Sequence, residues 1–172
     1  MRPSGFSAAT ALDAVNAGTP LQAIADARSI EEIVRAVGDA LTGLRLGVSA
    51  LDDAGLARVA GLELWSVAEI IGHALRADEA AHEIARALAA GQDPDARVPY
   101  GEPGPRDVTR GALLEAIEAA GTRLSRAAGL AAGGPTFAHE QLGPLNARGW
   151  ILYIAVHHAQ HLHQAAAVVR SR

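Results

Sequence analysis

Residues 29–51 read SIEEIVRAVGDALTGLRLGVSAL. Apolar residues recur there at alternating intervals of three and four for about six turns, which is typical of an amphipathic helix packed in a bundle. Ser29 and Glu32 form a capping-box pattern, because each side chain can bond the other residue's backbone amide. The segment therefore predicts a long helix that begins at residue 30. Its apolar stripe consists of Ile30, Ile33, Val34, Val37, Leu41, Leu44, Val48 and Leu51.

Three further segments have the same period. The second begins with a capping-box pattern at residues 66–69 and ends near Gly91. The third opens near Asp107 and ends near Gly129, and the fourth opens near Asn146, a good N-cap residue. The four segments together predict an all-α protein built as a four-helix bundle.

The connections between these segments are long. Residues 91–106 and 129–145 are rich in glycine and proline, and connections of this length permit crossovers instead of a simple up-and-down order. Residues 1–27 are predicted to form an N-terminal extension and residues 28–172 the bundle domain. Two alternatives are open for the extension: a short helix around 8–17 that docks on the bundle, or partial disorder.

Composition and charge exclude several classes of protein. The 172 residues are 49% hydrophobic and 20% charged, which suits one domain with a sizeable core. The absence of cysteine excludes a disulfide scaffold, a thiolate metal site and a cysteine nucleophile. A net charge of −4, with arginines scattered among acids, argues against a nucleic-acid partner. No apolar run approaches the ~18 residues of a membrane span, and no signal-peptide core is visible, so a cytoplasmic location is expected.

The seven histidines are unevenly distributed, and four of them lie between residues 157 and 163. His157 and His161 are four residues apart, so they project from one face of a helix. This spacing allows two imidazoles to share one metal ion, although such pairs also occur as ordinary surface or core histidines. His158 and His163 lie off this face and are assigned to packing or to the surface.

His73 is predicted to lie on the inward face of the second segment. A buried imidazole without a partner is costly, so this side chain needs one. The partner is either a backbone carbonyl, Gln164 or Glu69, or a metal ion shared with His157 and His161. Three imidazoles would leave coordination positions for water or substrate, which is the pattern of a catalytic site.

Two stretches carry a family resemblance. Residues 65–73, WSVAEIIGH, resemble the first metal-ligand motif of the DinB-like superfamily, W-[ST]-x-x-E-[IV]-[IL]-x-H. Residues 142–150, LGPLNARGW, and residues 157–164, HHAQHLHQ, are similar to the family's G-x-L-[TN]-x-x-x-W and H-x-x-x-H-x-x-Q. The resemblance covers roughly residues 28–170 and implies a four-helix bundle with a non-sequential helix order.

The resemblance also implies a divalent metal ion, zinc or nickel, held by His73, His157 and His161, and a homodimer. Characterised relatives transfer low-molecular-weight thiols such as bacillithiol or mycothiol to electrophiles, or use such a thiol in isomerisation. The expected function is therefore a thiol S-transferase whose partners are a small electrophile and a small thiol. Alternatives are a metal-dependent hydrolase or isomerase, a non-enzymatic metal- or ligand-binding bundle associated with stress, and a metal-free polar cluster of histidines.

The remaining polar candidates are Glu69, Gln164, His139 and His82. Glu69 is interpreted as a capping residue, and the alternative is an acceptor that orients the His73 imidazole. Gln164 is either a hydrogen-bond partner of a ligand or of a metal-bound water, or a structural bond across the bundle. His139 is either an acid–base group or, as we favour from the sequence, a surface-loop histidine. His82 is predicted to be solvated on a polar face with Asp78. No catalytic side chain is assigned beyond the candidates Gln164 and His139.

Overall fold

The computed structural model describes residues 5–61 and 64–171. Within them the chain is almost entirely helical, with one short hairpin. The helices are α1 (Ala8–Asn16), α2 (Leu21–Asp26), α3 (Ile30–Ser49), α4 (Asp53–Leu56), α5 (Val67–Ala89), α6 (Arg110–Leu124) and α7 (Ala147–Arg170). A 3-10 turn, Ser125–Gly129, continues α6, and the strands are β1 (Phe137–His139) and β2 (Gly143–Leu145).

The predicted caps are present at the starts of the long helices. At α3 the Ser29 hydroxyl accepts from the Glu32 amide at 3.2 Å, and the Glu32 carboxylate accepts from the Ser29 amide at 3.0 Å. Ser66 and Glu69 make the same reciprocal pair at the start of α5, at 3.2 and 2.8 Å. The Asn146 side chain caps α7. Local sequence therefore fixes where these three helices begin.

The third segment begins later and ends earlier than predicted. The helix starts at Arg110 instead of near Asp107, because the Thr109 hydroxyl accepts from the Ala112 amide at 3.2 Å and acts as the cap. The α-helical part ends at Leu124, and a tighter 3-10 turn covers the distance to Gly129.

The four long helices form the bundle in a non-sequential order. Helix α3 packs against α6 and α7, and α5 packs against the same two helices, so α3 and α5 stand at opposite corners. The all-α bundle with crossover connections is thus confirmed. Among the described helices, none combines the length and apolarity that a membrane crossing requires.

The N-terminal helices share the core of the bundle. Both α1 and α2 pack on α7, and Ala11 and Leu21 are buried in the same apolar cluster as the bundle residues. The Gln22 side chain accepts a hydrogen bond from the Asn146 amide at 2.8 Å, just where α7 begins. These contacts anchor the start of the helix that carries the histidine cluster. Residues 1–4 lie outside the described part of the chain.

A β-hairpin interrupts the connection before α7, where the sequence indicated only a long connection. Strands β1 and β2 pair antiparallel, with Phe137 opposite Leu145 and His139 opposite Gly143. Gly143 has φ +75°, a left-handed conformation that favours glycine. The hairpin places His139 beside the first turns of α7.

Candidate metal centre

Three histidines converge between α5 and α7. His73 comes from α5, and His157 and His161 come from successive turns of α7. One ring nitrogen of each lies within 4.8 Å of the others, and the Nε2 atoms of His157 and His161 are 3.0 Å apart. Two nitrogens that each lie about 2.0–2.1 Å from a shared ion stand roughly 3 Å apart. The Nε2 atoms of His157 and His161 thus have the spacing of two nitrogens on one ion, and His73 is close enough to join them.

The other ring nitrogens of two of these histidines are tied to oxygen acceptors. His73 Nδ1 donates to the backbone carbonyl of Glu102 at 2.7 Å, and His161 Nδ1 donates to Oε1 of Gln164 at 2.8 Å. A proton on Nδ1 leaves Nε2 of a neutral ring unprotonated, with its lone pair available. Such outer partners orient imidazoles for metal binding. The residues present therefore fit a divalent ion held by three Nε2 atoms.

Electrostatics keep the three imidazoles neutral. Burial lowers the pKa of His161 to about 4, and it lowers the pKa of His73 and His157 as well. Neighbouring imidazoles lower the pKa values of His157 and His161 further. An imidazole must be deprotonated to coordinate a metal, so the site is ready for an ion near neutral pH.

A short strap of chain fixes the orientation of His73. The strap, residues 102–106, crosses α5 so closely that the Gly104 amide donates to the backbone carbonyl of Glu69 at 2.9 Å. A Cβ atom on Gly104 would lie 2.6 Å from the backbone nitrogen of His73. Arg76 donates to the carbonyl of Pro103 at 2.7 Å and fastens the strap from the outside.

A cavity of about 940 Å³ adjoins the cluster, and all three histidines line it. Its other walls come from α1, from the α5–α6 connection, from the hairpin and from α7. Ligand pockets commonly measure 300–1,000 Å³. Among the described residues, no carboxylate or further histidine joins the cluster, so a bound ion would keep positions that face this cavity.

Comparison with known families identifies the fold. The sequence profile of the DinB superfamily matches residues 35–165. This range is most of the chain and contains His73, His157 and His161. The chain belongs to the DinB superfamily. No curated protein and no solved structure shows significant similarity to it. Membership in this DinB superfamily, together with the three convergent histidines, is compatible with a metal-binding enzyme.

Two polar residues predicted near the site have defined roles in this DinB-like bundle. Gln164 is the hydrogen-bond partner of His161, one of the alternatives open from the sequence. Glu69 is the capping residue, as interpreted, and its other oxygen accepts from Arg106 of the strap at 3.1 Å. The acceptor for His73 is a backbone carbonyl, also one of the open alternatives.

The surface-loop interpretation of His139 is wrong. The side chain is 7% exposed, and its ring lies 4.8 Å from the Tyr153 ring and 5.5 Å from the Trp150 ring. The sequence suggested an exposed loop, but the hairpin folds over the start of α7 and covers this histidine. His139 lines the same cavity as the three convergent histidines.

The solvated interpretation of His82 is also wrong. Its side chain is 10% exposed, and Nδ1 lies 3.2 Å from Oδ1 of Asp78, a carboxylate that is fully buried. His158 is buried on the other side of Asp78, in agreement with a packing role, and Arg123 of α6 completes the group. A helical wheel places Asp78 on a polar face, but α6 and α7 cover that face.

The strap is the functional feature that sequence reasoning missed. Glu102 acts through its backbone carbonyl, which any residue type provides, so no side-chain motif marks it. The available signal was Gly104 within the segment YGEPGPR, where glycine allows a close approach of two backbones.

Proposed function

We propose that this chain is a divalent-metal-dependent transferase that moves a low-molecular-weight thiol onto a small electrophile. The observation that carries the proposal is an open set of three imidazole nitrogens at the wall of a cavity large enough for two small molecules. A site that is closed by four protein ligands serves structure, whereas one with free positions serves chemistry.

Zinc or nickel suits this donor set, because imidazole nitrogen is a good ligand for both ions. When bound, such an ion would lower the pKa of a thiol that joins it, so that thiolate is present near neutral pH. The sequence contains no cysteine, so the sulfur nucleophile must come from the cosubstrate.

The protein's own residues orient the imidazole rings and bind the reactants. The Glu102 carbonyl and Gln164 hold two imidazole rings in position, and burial keeps all three rings neutral. The cavity holds both reactants close together, which converts an encounter in solution into a reaction within one site. In the transfer, a carbon–sulfur bond forms while the leaving group departs with its electron pair, and the thiol proton is released to solvent.

The deciding experiment measures product formation from a fluorogenic electrophile with zinc- or nickel-loaded protein, with and without added thiol. Turnover that requires both the thiol and the metal is expected. The His161→Ala variant should lose activity, whereas His163→Ala, which removes an exposed histidine of the same helix, should keep it. Turnover without thiol would reject the transferase and favour a hydrolase.

A second measurement separates catalytic from structural use of the ion. Metal content and thermal unfolding of the His161→Ala variant are recorded together. Loss of metal with an unchanged fold agrees with an open, catalytic site, whereas collapse of the fold would indicate a structural ion. If the purified protein never contains stoichiometric metal, the three histidines form a metal-free polar cluster and the transferase proposal is wrong.

A further inference from the structure

The aromatic residues of this chain are concentrated around one cavity. The sequence has only two tryptophans, two tyrosines and two phenylalanines. Both tryptophans, both tyrosines and one phenylalanine line the cavity beside the three histidines: Trp65, Tyr100, Phe137, Trp150 and Tyr153. Trp65 just before α5, Tyr100 in the α5–α6 connection and Phe137 in the hairpin keep accessible surface and form the aromatic wall. Trp150 and Tyr153 of α7 are 1% and 5% exposed and are almost fully covered. Such walls favour flat, apolar ligands that can stack.

The described lining is poor in charge. Its one arginine is Arg97 and its one carboxylate belongs to Glu140. The Arg97 guanidinium already donates to the carbonyls of Pro94 and Ala96, at 3.1 and 2.9 Å, and stacks 4.7 Å from the centre of the Phe137 ring. Arg97 is the one cation that the described lining offers, so most of the cavity favours an uncharged ligand, which loses less hydration on entry.

His139 supplies a directed hydrogen-bond donor in the same cavity. Its Nδ1 accepts from the backbone amides of Gln141 and Leu142, at 3.2 and 3.3 Å, within the hairpin turn. Burial lowers the pKa of His139, so the ring is neutral and its single proton is on Nε2. No described atom accepts from Nε2. The hairpin thus fixes the tautomer and presents one N–H group to whatever occupies the cavity.

We propose that the electrophile is an uncharged, planar aromatic molecule with one hydrogen-bond acceptor, which His139 Nε2–H binds while the aromatic wall stacks on the ring system. This inference rests on the proposed function, because it names the acceptor substrate for the same site. It requires neither the ion nor the thiol for binding, so it can be tested separately from catalysis.

The test is equilibrium dialysis of the full chain, freed of metal by a chelator and without thiol, against four unreactive probes. 2-Acetylnaphthalene has the aromatic ring and the acceptor, and 2-ethylnaphthalene lacks the acceptor. 2-Naphthoate adds a negative charge, and cyclohexyl methyl ketone lacks the aromatic ring. We expect 2-acetylnaphthalene to bind most tightly, about fivefold better than 2-ethylnaphthalene, which is the usual worth of one neutral hydrogen bond.

The His139→Phe variant preserves an aromatic wall and removes the donor. It should abolish the preference for 2-acetylnaphthalene over 2-ethylnaphthalene, and His163→Phe, outside the cavity, should preserve it. Tighter binding of 2-naphthoate, or equal binding of the cyclohexyl ketone, would overturn the proposed class on the unmodified protein, whatever the stability of the variant. A preference that survives in His139→Phe would overturn the role of His139. Absence of thiol-dependent turnover with these binding results intact would reject the transferase alone.

Discussion

Helices α5 and α7 hold two groups of histidines that differ in their partners and in their access to the cavity. In the three-histidine cluster, His73, His157 and His161 face a cavity, and no carboxylate of the described chain joins them. In the second group, which we call the Asp78 network, His82, His158 and Arg123 surround one buried carboxylate. None of the four lines the cavity.

His157 and His158 are adjacent in sequence and belong to different groups. The step of one residue turns the side chain by about 100° around the helix axis, so one imidazole faces the cavity and the other faces Asp78. Burial raises the pKa of Asp78, but the His82 hydrogen bond and the charges of His158, His82 and Arg123 outweigh it and lower that pKa overall. The comparison teaches that imidazoles which converge at a cavity without a carboxylate indicate a ligand site, whereas imidazoles around a carboxylate paired with Arg123 indicate a structural contact.

The largest effect is expected from Asp78→Asn, which removes the negative charge and leaves Arg123 without its partner. Loss of one member of a buried ion pair costs about 3–5 kcal/mol, so the free energy of unfolding should fall by that order. Metal stoichiometry should stay unchanged, because the network does not touch the cluster. Urea unfolding and elemental analysis of the same samples measure both quantities.

Asp39→Asn is the matched control, since Asp39 is exposed on α3 and its substitution should change stability by no more than ~0.5 kcal/mol. If Asp78→Asn lost its metal while its stability was preserved, the two groups would be one coupled site, and the distinction between them would be wrong.

A smaller effect is expected from Gly104→Ala, which acts on the three-histidine cluster through the strap. The new methyl group would meet backbone atoms of α5 at 2.6–2.7 Å, so the strap must move away from α5. The hydrogen bond between His73 Nδ1 and the Glu102 carbonyl is then lost. Overpacking of this kind costs about 1–3 kcal/mol, and loss of an outer partner lowers metal affinity by about 10–100-fold. A competitive chelator titration measures the affinity.

Gly121→Ala serves as the control, because a Cβ atom there has open space and the helix gains about 0.5–1 kcal/mol. Unchanged metal affinity in Gly104→Ala would show that His73 keeps its orientation without the strap, so the Glu102 carbonyl would not be what positions this imidazole.

The fold was largely predictable, because its signals are local. Apolar periodicity and the side-chain caps Ser29, Ser66 and Asn146 mark the starts of α3, α5 and α7. Helix α6 was placed early because Asp107 and Thr109 are both suitable caps and the sequence does not rank them. The hairpin was missed because strands of three residues, one of them containing Pro144, are too short to show a period of two.

The convergence of the three histidines was predictable because side-chain spacing carried part of the information, whereas contacts between distant segments were not. The four-residue interval between His157 and His161 predicted a shared face, and the structure brings His73 to it. Asp78 was placed on a polar face and His82 was assigned to solvent, because a helical wheel does not show that α6 and α7 both cover α5. The Glu102 carbonyl was not predictable from residue type at all.

The smallest of these effects comes from pH, and it separates His161 from Asp78 by the pH range in which stability is lost. His161 has a pKa of about 4 in the folded protein, below the ordinary value of 6.5. The unfolded chain therefore binds more protons between these values, so the metal-free protein loses stability as pH falls from 6.5 towards 4. For His161 alone the loss between pH 7 and 5.5 is about 1 kcal/mol. The pKa of Asp78 in the folded protein is lowered below its ordinary value of 3.8, so protonation of Asp78 reduces the stability only in more acidic solution.

Urea midpoints of chelator-treated protein at pH 7 and 5.5 test this, with His161→Gln as the informative variant. The variant should show a smaller loss on acidification than the unmodified chain, by about 1 kcal/mol, because glutamine takes up no proton. Asp39→Asn should follow the unmodified chain. An equal loss in His161→Gln would mean that His161 is not held neutral in the fold, and burial would then not be what prepares the cluster for a metal ion.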